Sequence, residues 1–204
     1  MRRRRPQHAD DELLRAASQV FAREGFAAAS VTRIAEAAGA TKPTLYARFG
    51  SKSDLFDATI RYQADAIQEH LFAAYDRAST LRLHEAVREG VDAWFAFAAE
   101  RPDGMTLLFG EHAGAHSAIA EQTTEAIVQR ITHEVARFQG ERAAGPSAEV
   151  IAAMIVGTAV HAIRRCLADP GLDPEAVSAL TTSFIVAAAQ GVDPELFEVQ
   201  RGTA

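Results

Sequence analysis

The stretch SVTRIAEAAGATKPTLYARFGSKSDLF, residues 30–56, carries a start signal and a stop signal for each of two short helices. Ser30 can cap the first helix, and Gly39 ends it. Thr41 can cap the second helix, and Gly50 ends it. Two short helices joined by a tight turn that contains glycine form a helix-turn-helix, so the sequence predicts this motif here.

The flanking sequence continues the helical pattern in both directions. Upstream, a helix predicted from about Asp10 carries an apolar stripe, and Gly25 ends it. The stripe consists of Leu13, Leu14, Ala17, Val20 and Phe21. Downstream, Ser51 and Asp54 have the spacing of a capping box and start a helix that reaches about Tyr75. The N-terminal part of the chain is therefore predicted to be helical throughout.

The C-terminal part is predicted to consist of longer helices. Apolar residues recur there at helical spacing, and no segment alternates with the period of a strand, so we predict an all-α fold. The segment Val150–Ile163 is apolar on almost every side, and such a helix must be buried on every side. We predict that a second copy of the chain covers one side, through helices at about 147–168 and 173–190. A central core helix in a monomer is the alternative.

Composition and charge narrow the class of protein. The chain has 204 residues and a single cysteine, Cys166, which cannot form an internal disulfide and favours a reducing, cytoplasmic setting. Residues 1–60 hold 10 Lys and Arg against 7 Asp and Glu, a net charge of +3, whereas residues 61–204 carry −9. A basic head suits contact with a polyanion, although Arg2–Arg5 lie in a tail. No membrane span is predicted, because the apolar segment 150–163 is shorter than the roughly 18 residues required.

Over about residues 10–60 the sequence strongly resembles the DNA-binding head of the TetR family of transcriptional regulators. The positions of characteristic type are Phe21, Gly25, Ile34, Ala35, Ala38, Gly39, Leu45, Tyr46, Phe49, Lys52 and Leu55. Ala40 stands where valine is usual, and Pro43 where glycine or another small residue is usual; both are compatible with the fold. The resemblance implies about nine helices, with an N-terminal three-helix domain and a C-terminal helical ligand-binding and dimerisation domain.

The resemblance also implies domain boundaries and DNA contacts. A flexible basic tail would span residues 1–9, the helix-turn-helix domain 10–56 and the effector-binding and dimerisation domain 57–204. The residues expected to contact DNA are Thr32, Arg33, Thr41, Lys42, Thr44, Tyr46 and Lys52.

The expected contacts differ in kind. Lys42 can donate to guanine acceptors, and a threonine methyl can touch a thymine methyl. Tyr46 and Lys52 are expected to bind phosphate, while Leu45 is expected in the core. For each polar residue the alternative is a solvated surface side chain.

Aromatic and sulfur-bearing stripes in the C-terminal part either fill the core or line a ligand pocket. The candidate pocket residues are Trp94, Phe97, Met105, Phe109, His112 and His161. His112 and His116 have a spacing at which two helical imidazoles can share a metal, but no third ligand is evident. We therefore predict neither a metal nor a cofactor.

The predicted function follows from the resemblance. The sequence contains no nucleophile elbow, phosphate-binding loop or dinucleotide fingerprint, so an enzyme is not predicted. The resemblance implies a bacterial, cytoplasmic homodimer that binds a palindromic operator in double-stranded DNA and does not bind membranes. We expect a repressor of nearby genes that a small, largely apolar effector releases. The alternative is an activator, or a regulator without a small-molecule effector.

Overall fold

The computed structural model describes residues 6–110, 118–139 and 146–191, and within them the chain forms nine helices and no strand. The helices are α1 (Pro6–Ala28), α2 (Val31–Ala37), α3 (Lys42–Phe49), α4 (Lys52–Ala78), α5 (Leu83–Glu100), α6 (Pro102–Phe109), α7 (Ala118–Gln139), α8 (Pro146–Ala168) and α9 (Pro174–Gly191). This architecture confirms the predicted all-α fold.

The boundaries of α2 and α3 follow from local hydrogen bonds. The backbone of Ser30 is extended, and its Oγ accepts a hydrogen bond from the N–H of Thr32 at 3.2 Å. Gly39 has a φ of +60°, a left-handed conformation that glycine adopts without steric cost. The Oγ1 of Thr41 accepts from the N–H of Thr44 at 3.3 Å. These contacts confirm the predicted helix, glycine turn and helix.

Helices α1 and α4 flank this motif. Helix α1 begins at Pro6, before the predicted start near Asp10, and its helical geometry is broken at Gly25, which has a φ of +73°. At the start of α4, the N–H of Ser51 donates to Oδ2 of Asp54 at 3.0 Å, and the N–H of Asp54 donates to Oγ of Ser51 at 3.1 Å. The predicted capping box is therefore confirmed.

The described residues divide into two compact units. Unit 1 contains those within 1–66 and 101–121, and unit 2 contains those within 67–100 and 122–204. Helix α6 thus belongs with the N-terminal helices, because it packs against α1. The functional boundary between residues 56 and 57 stays a prediction, as does the tail, whose Arg2–Arg5 lie outside the described residues.

The core of unit 1 sets the position of α3. Helix α1 packs against α2, and α2 packs against α3. Phe21, Ile34 and Leu45, one from each of these helices, are almost entirely solvent-excluded. The ring of Phe56 lies 5.0 Å from that of Phe21 in an edge-to-face arrangement and 5.0 Å from that of Phe26. A single apolar cluster therefore holds the short helices against α1 and the start of α4.

Unit 2 is built around α5, α8 and α9. Helix α5 packs against both α8 and α9, which also pack against each other. From α5, Val91, Trp94 and Phe97 are buried. The hydroxyl of Ser178 on α9 donates to Oδ1 of Asp92 on α5 at 2.7 Å, which pins these two helices together. This packing brings apolar faces from distant parts of the sequence together.

Helix α8 corrects one expectation about the chain. It is 23 residues long, and by length and composition alone it could cross a membrane, so the length argument based on residues 150–163 was wrong. One face, which includes Ala152, Val156 and Ile163, is buried in unit 2. On the other side Val150 is 42% exposed and Met154 is 65% exposed. Within the described chain, α8 is thus covered on one side only.

Candidate functional site

Helix α3 is held by few side chains and presents the rest to solvent. Leu45 is the buried residue of this helix, and Phe49 is half-buried. Lys42, Thr44 and Tyr46 are exposed, and the exposure of Tyr46 is 45%, which is unusual for a large aromatic side chain. A helix anchored by its inner face and polar on its outer face has the form needed to enter the major groove of DNA.

The threonines near α3 have a structural role as well as a predicted contact. Thr41 caps the helix, and its Oγ1 lies 2.8 Å from Oγ1 of Thr44. Thr32 is exposed in the first turn of α2. These three side chains therefore lie at the starts of α2 and α3, where free backbone N–H groups also favour a phosphate.

Two arginines of the motif are engaged in ion pairs. Arg33 lies 2.8 Å from a carboxylate oxygen of Glu24, and Arg48 pairs with Asp10. Asp10 raises the pKa of Arg48 through a hydrogen bond and its charge. Both pairs link α1 to the helix-turn-helix and neutralise cations that the sequence alone presents as free.

The two lysines of the motif have different environments. The Nζ of Lys52 donates to the carbonyl oxygen of Ala27 at 3.2 Å and lies 4.8 Å from the centre of the Phe26 ring. Lys42 is exposed and has no hydrogen bond or ion pair within the part of the chain that the structure describes. Among the described residues, Lys42 is thus the cation of α3 that no acidic side chain pairs with, whereas Arg48 is paired with Asp10.

Unit 2 contains an apolar cavity of about 90 Å³ that is partly open to solvent. Its wall comes from α4, α5, α7, α8 and α9. The apolar lining includes Val91, Ile131, Val135, Phe138, Ile151, Ile155 and Ile185. A concave, largely apolar wall with a few polar groups is typical of a binding site for a small molecule.

A small number of polar groups interrupt the apolar wall. Tyr75 and Trp94 both line the cavity, and the indole N–H of Trp94 donates to the hydroxyl oxygen of Tyr75 at 3.0 Å. Glu134 also lines it, and its carboxylate accepts from Arg130 and Arg137, each at 2.9 Å. A hydroxyl, an indole N–H and a neutralised carboxylate are therefore the side-chain polar groups of the lining.

The structure separates the predicted pocket residues. Trp94 lines the cavity of unit 2, whereas Phe97 is buried beside His70, with their ring centres 6.0 Å apart. Met105 and Phe109 lie on α6, which belongs to unit 1.

Of the two histidines predicted to line the pocket, the structure describes His161, which does not line the cavity. His161 is exposed on α8, with its Nδ1 2.8 Å from the carbonyl oxygen of Gly157. His112 and His116 lie outside the described residues. Within those residues, no group of three or more His, Cys, Asp or Glu side chains is arranged to hold a metal ion.

Sequence reasoning missed most of the cavity wall and its polar groups. Tyr75 was placed at the end of a helix, and Glu134 was not considered. Ile131 and Val135 lie four positions apart on α7, at helical spacing, but the sequence does not say which part of an apolar stripe faces a cavity rather than a neighbouring helix. Aromatic residues were favoured as candidates, whereas aliphatic side chains provide most of the wall.

A second feature emerges on α8 and α9. Leu180 and Phe184 of α9 are 69% and 61% exposed, and Met154 of α8 is exposed to a similar degree. Exposed apolar side chains of this size on two adjacent helices are typical of an interaction surface. We call Val150, Met154, Leu180 and Phe184 the α8–α9 face.

Comparisons with known proteins agree with this geometry. The family model for bacterial regulatory proteins of the tetR family matches residues 13–59. The HTH-type transcriptional activator FasR of Mycolicibacterium smegmatis is 31% identical over 156 residues, which cover 75% of this chain and 69% of FasR. The HTH-type transcriptional repressor NicS of Pseudomonas putida is 32% identical over 124 residues, which cover 55% of each chain.

A solved structure shares the fold over nearly the whole chain. The transcriptional regulator FadR from Bacillus subtilis, crystallised in complex with stearoyl-CoA, matches with a TM-score of 0.72 at 17% identity. The match covers 87% of this chain and 98% of FadR. The chain belongs to the TetR family and is a DNA-binding transcriptional regulator.

Proposed function

We propose that this TetR-family regulator is a homodimeric repressor that binds a palindromic operator through α3 and releases it when a small apolar molecule fills the cavity of unit 2. The observation that carries the DNA-binding part is the outer face of α3, where Lys42 and Tyr46 are exposed while Leu45 anchors the helix. Exposed side chains on the outer face of such a helix can contact base edges and phosphates when the helix lies in the major groove of DNA.

The expected DNA contacts divide into base contacts and phosphate contacts. Lys42 donates to guanine acceptors, and Thr44 supplies a methyl group for a thymine. Tyr46 and Thr32 donate to phosphate oxygens. Arg33 is already paired with the Glu24 carboxylate, so its contribution is smaller than the sequence suggested. The hydrogen bond to the Ala27 carbonyl oxygen uses one of the three N–H donors of Lys52 and restricts the positions that its ammonium group can reach.

The α8–α9 face is the proposed dimer interface. Its apolar side chains are solvated in one copy of the chain and become buried when the same face of a second copy covers them. A twofold dimer presents two recognition helices to half-sites about 34–36 Å apart, one turn of the double helix.

The effector is proposed to bind in the cavity. Its wall is almost wholly apolar, and FadR, which has the same fold, was crystallised with stearoyl-CoA, so acylated molecules are the first class to screen. Tyr75 and Ala78 on α4 line the cavity, and Lys52 begins the same helix. A ligand that displaces α4 would change the spacing of the recognition helices, and a coupling of about 1–3 kcal/mol would weaken operator binding roughly 5–150-fold.

An activator role is the alternative to the proposed repressor role. FasR is named an activator and NicS a repressor, so an activator role is the second candidate. A regulator without an effector is disfavoured by the presence of a formed cavity where a solid core would be expected. The proposed place of action is the bacterial cytoplasm, where the operator DNA lies.

A titration against the DNA that flanks the protein's own gene tests this proposal. Fluorescence anisotropy at two salt concentrations should give an affinity on the order of 10 nM that weakens steeply with salt. The Lys42→Ala, Tyr46→Ala double variant should bind about 100-fold more weakly, because it loses a base contact and a phosphate contact.

The matched control is Arg82→Ala, which removes an exposed cation from unit 2. This variant should bind DNA as the parent does. If the double variant and the parent bind every tested operator equally, α3 does not read DNA and the proposal fails.

A further inference from the structure

Within the described residues, the phenol proton of Tyr75 has no hydrogen-bond acceptor. Tyr75 is 5% exposed and Trp94 is 2% exposed, and both line the cavity. An indole N–H can only donate, so in the 3.0 Å hydrogen bond between the two side chains the phenol oxygen must accept. The phenol proton then has no acceptor among the residues that the structure describes. A buried donor in this state costs free energy until a partner arrives.

The structure also holds the phenol in place and keeps it protonated. A Cβ built on Gly90 would lie 3.2 Å from Cε1 of Tyr75, so a glycine lets α5 approach the ring closely. Burial raises the pKa of the Tyr75 hydroxyl well above its ordinary value, although the Trp94 hydrogen bond and the charge of Arg130 oppose this change. The group is therefore a fixed, neutral donor at physiological pH.

The charges beside the cavity argue against an anionic partner for this donor. Glu134 lines the cavity and pairs with Arg130 and Arg137, and Arg130 also binds Asp76 at 2.7 Å. The two cations and the two anions of this described cluster balance each other in charge. A carboxylate ligand would lie near Glu134 without a counter-ion, whereas an uncharged oxygen meets no repulsion.

We propose that the Tyr75 hydroxyl selects an effector that carries an uncharged carbonyl oxygen on an apolar chain, as in a ketone, an ester or a thioester. The proposal rests on the proposed role of the cavity as the effector site. Trp94 is a positioning residue, because its N–H fixes the orientation of the phenol. The apolar wall binds the chain, and the phenol distinguishes carbonyl compounds from hydrocarbons of the same shape.

The test uses two probes of equal shape. 2-Octanone has a carbonyl oxygen where 2-methyl-1-octene has a methylene group, and equilibrium dialysis measures the affinity of each. The ratio of the two affinities, which cancels most of the difference in hydrophobicity, should fall about threefold to tenfold in Tyr75→Phe. Tyr62→Phe is the matched control, since it removes a phenol hydroxyl from unit 1, where Arg15 binds it.

Two further readouts use the parent protein alone. Trp94 is the single tryptophan of the chain, so its emission reports whether a probe occupies the cavity. The infrared stretching band of carbonyl-labelled 2-octanone should move below its position in an apolar solvent when the phenol donates to it. This measurement does not depend on whether Tyr75→Phe folds.

The outcomes separate this inference from the proposed function. Binding of both probes with an unchanged ratio in Tyr75→Phe, or an unshifted carbonyl band, would overturn the role of Tyr75 and leave the effector site intact. Higher affinity for octanoate than for 2-octanone would overturn the assignment of an uncharged group. An unchanged Trp94 emission with no binding of either probe would overturn the effector site itself.

Discussion

The helix-turn-helix and the cavity are specified by residues at very different separations along the chain. The caps and the turn of α2 and α3 are made by residues two to five positions apart, such as Thr41 with Thr44 and Ala35 with Ala40. The cavity wall joins α4 to α9, whose lining residues are more than one hundred positions apart, as Tyr75 and Ile185 are. Local rules therefore describe the first region well and the second region poorly.

The two regions also handle charge differently. In the helix-turn-helix, ion pairs occupy Arg33 and Arg48 and leave Lys42 exposed. Near the cavity, Arg130 and Arg137 are matched by acidic groups. The first arrangement leaves a cation for a polyanion, whereas the second leaves an apolar space with one hydroxyl donor. This difference teaches how a DNA-binding surface and an effector site in one chain can be distinguished. The DNA-binding surface keeps an unpaired cation, whereas the charges beside the effector site are paired.

The largest expected effect concerns the α8–α9 face, which has no counterpart in the helix-turn-helix. The Met154→Glu, Phe184→Glu double variant should be monomeric at micromolar concentration, because two carboxylates would have to be buried in each half of the interface. Sedimentation velocity measures the change. Ala99→Glu, at an exposed position of α5, should leave the dimer intact. A double variant that remains dimeric would place the interface elsewhere.

The second effect separates folding from DNA binding at two adjacent positions of α3. Leu45→Ala should lower the free energy of unfolding by about 2–5 kcal/mol, because it opens space in the core of unit 1. Tyr46→Ala should change it by less than about 0.5 kcal/mol, because the side chain is largely solvated. Urea unfolding followed by circular dichroism measures both. Equal losses in the two variants would contradict the assignment of an inner and an outer face.

The smallest expected effect compares the two lysines. Lys42→Ala should reduce the slope of log affinity against log salt concentration by up to about 1, because the variant brings one cation fewer into the groove between the phosphates. Lys52→Ala should change the slope by much less, because its ammonium group is held by Ala27 and Phe26. Equal reductions would mean that the Lys52 ammonium group contacts a phosphate when the protein binds DNA, as the family resemblance implied.

Much of the fold was predictable because it depends on local signals. Ser30, Gly39 and Thr41 marked the ends of α2 and α3 correctly, since a cap or a left-handed glycine acts on its immediate neighbours. The predicted start of α1 near Asp10 was less accurate. The helix begins at Pro6, because proline is well suited to the first turn of a helix.

The candidate sites divide in the same way. The residues expected to contact DNA lie on α2, on α3 with its cap and at the start of α4, and their contacts with DNA stay a prediction. Of the pocket candidates, Trp94 lines the cavity, while Phe97 and Met105 are buried elsewhere. Apolar periodicity identifies the inner face of a helix, but it cannot distinguish close-packed core from cavity wall, because both exclude water.

The sequence by itself determined the helical fold class, the position of the helix-turn-helix and the family. Capping groups, glycines and 3.6-residue periodicity act over one or two turns and can be read without coordinates. Only the tertiary structure decided that Lys52 is held by Ala27, that Tyr75 and Trp94 meet beside a cavity, and that the α8–α9 face is left uncovered. These features depend on contacts between segments that are distant in the sequence. The packing of whole helices decides which segments meet, and no local sequence pattern encodes that packing.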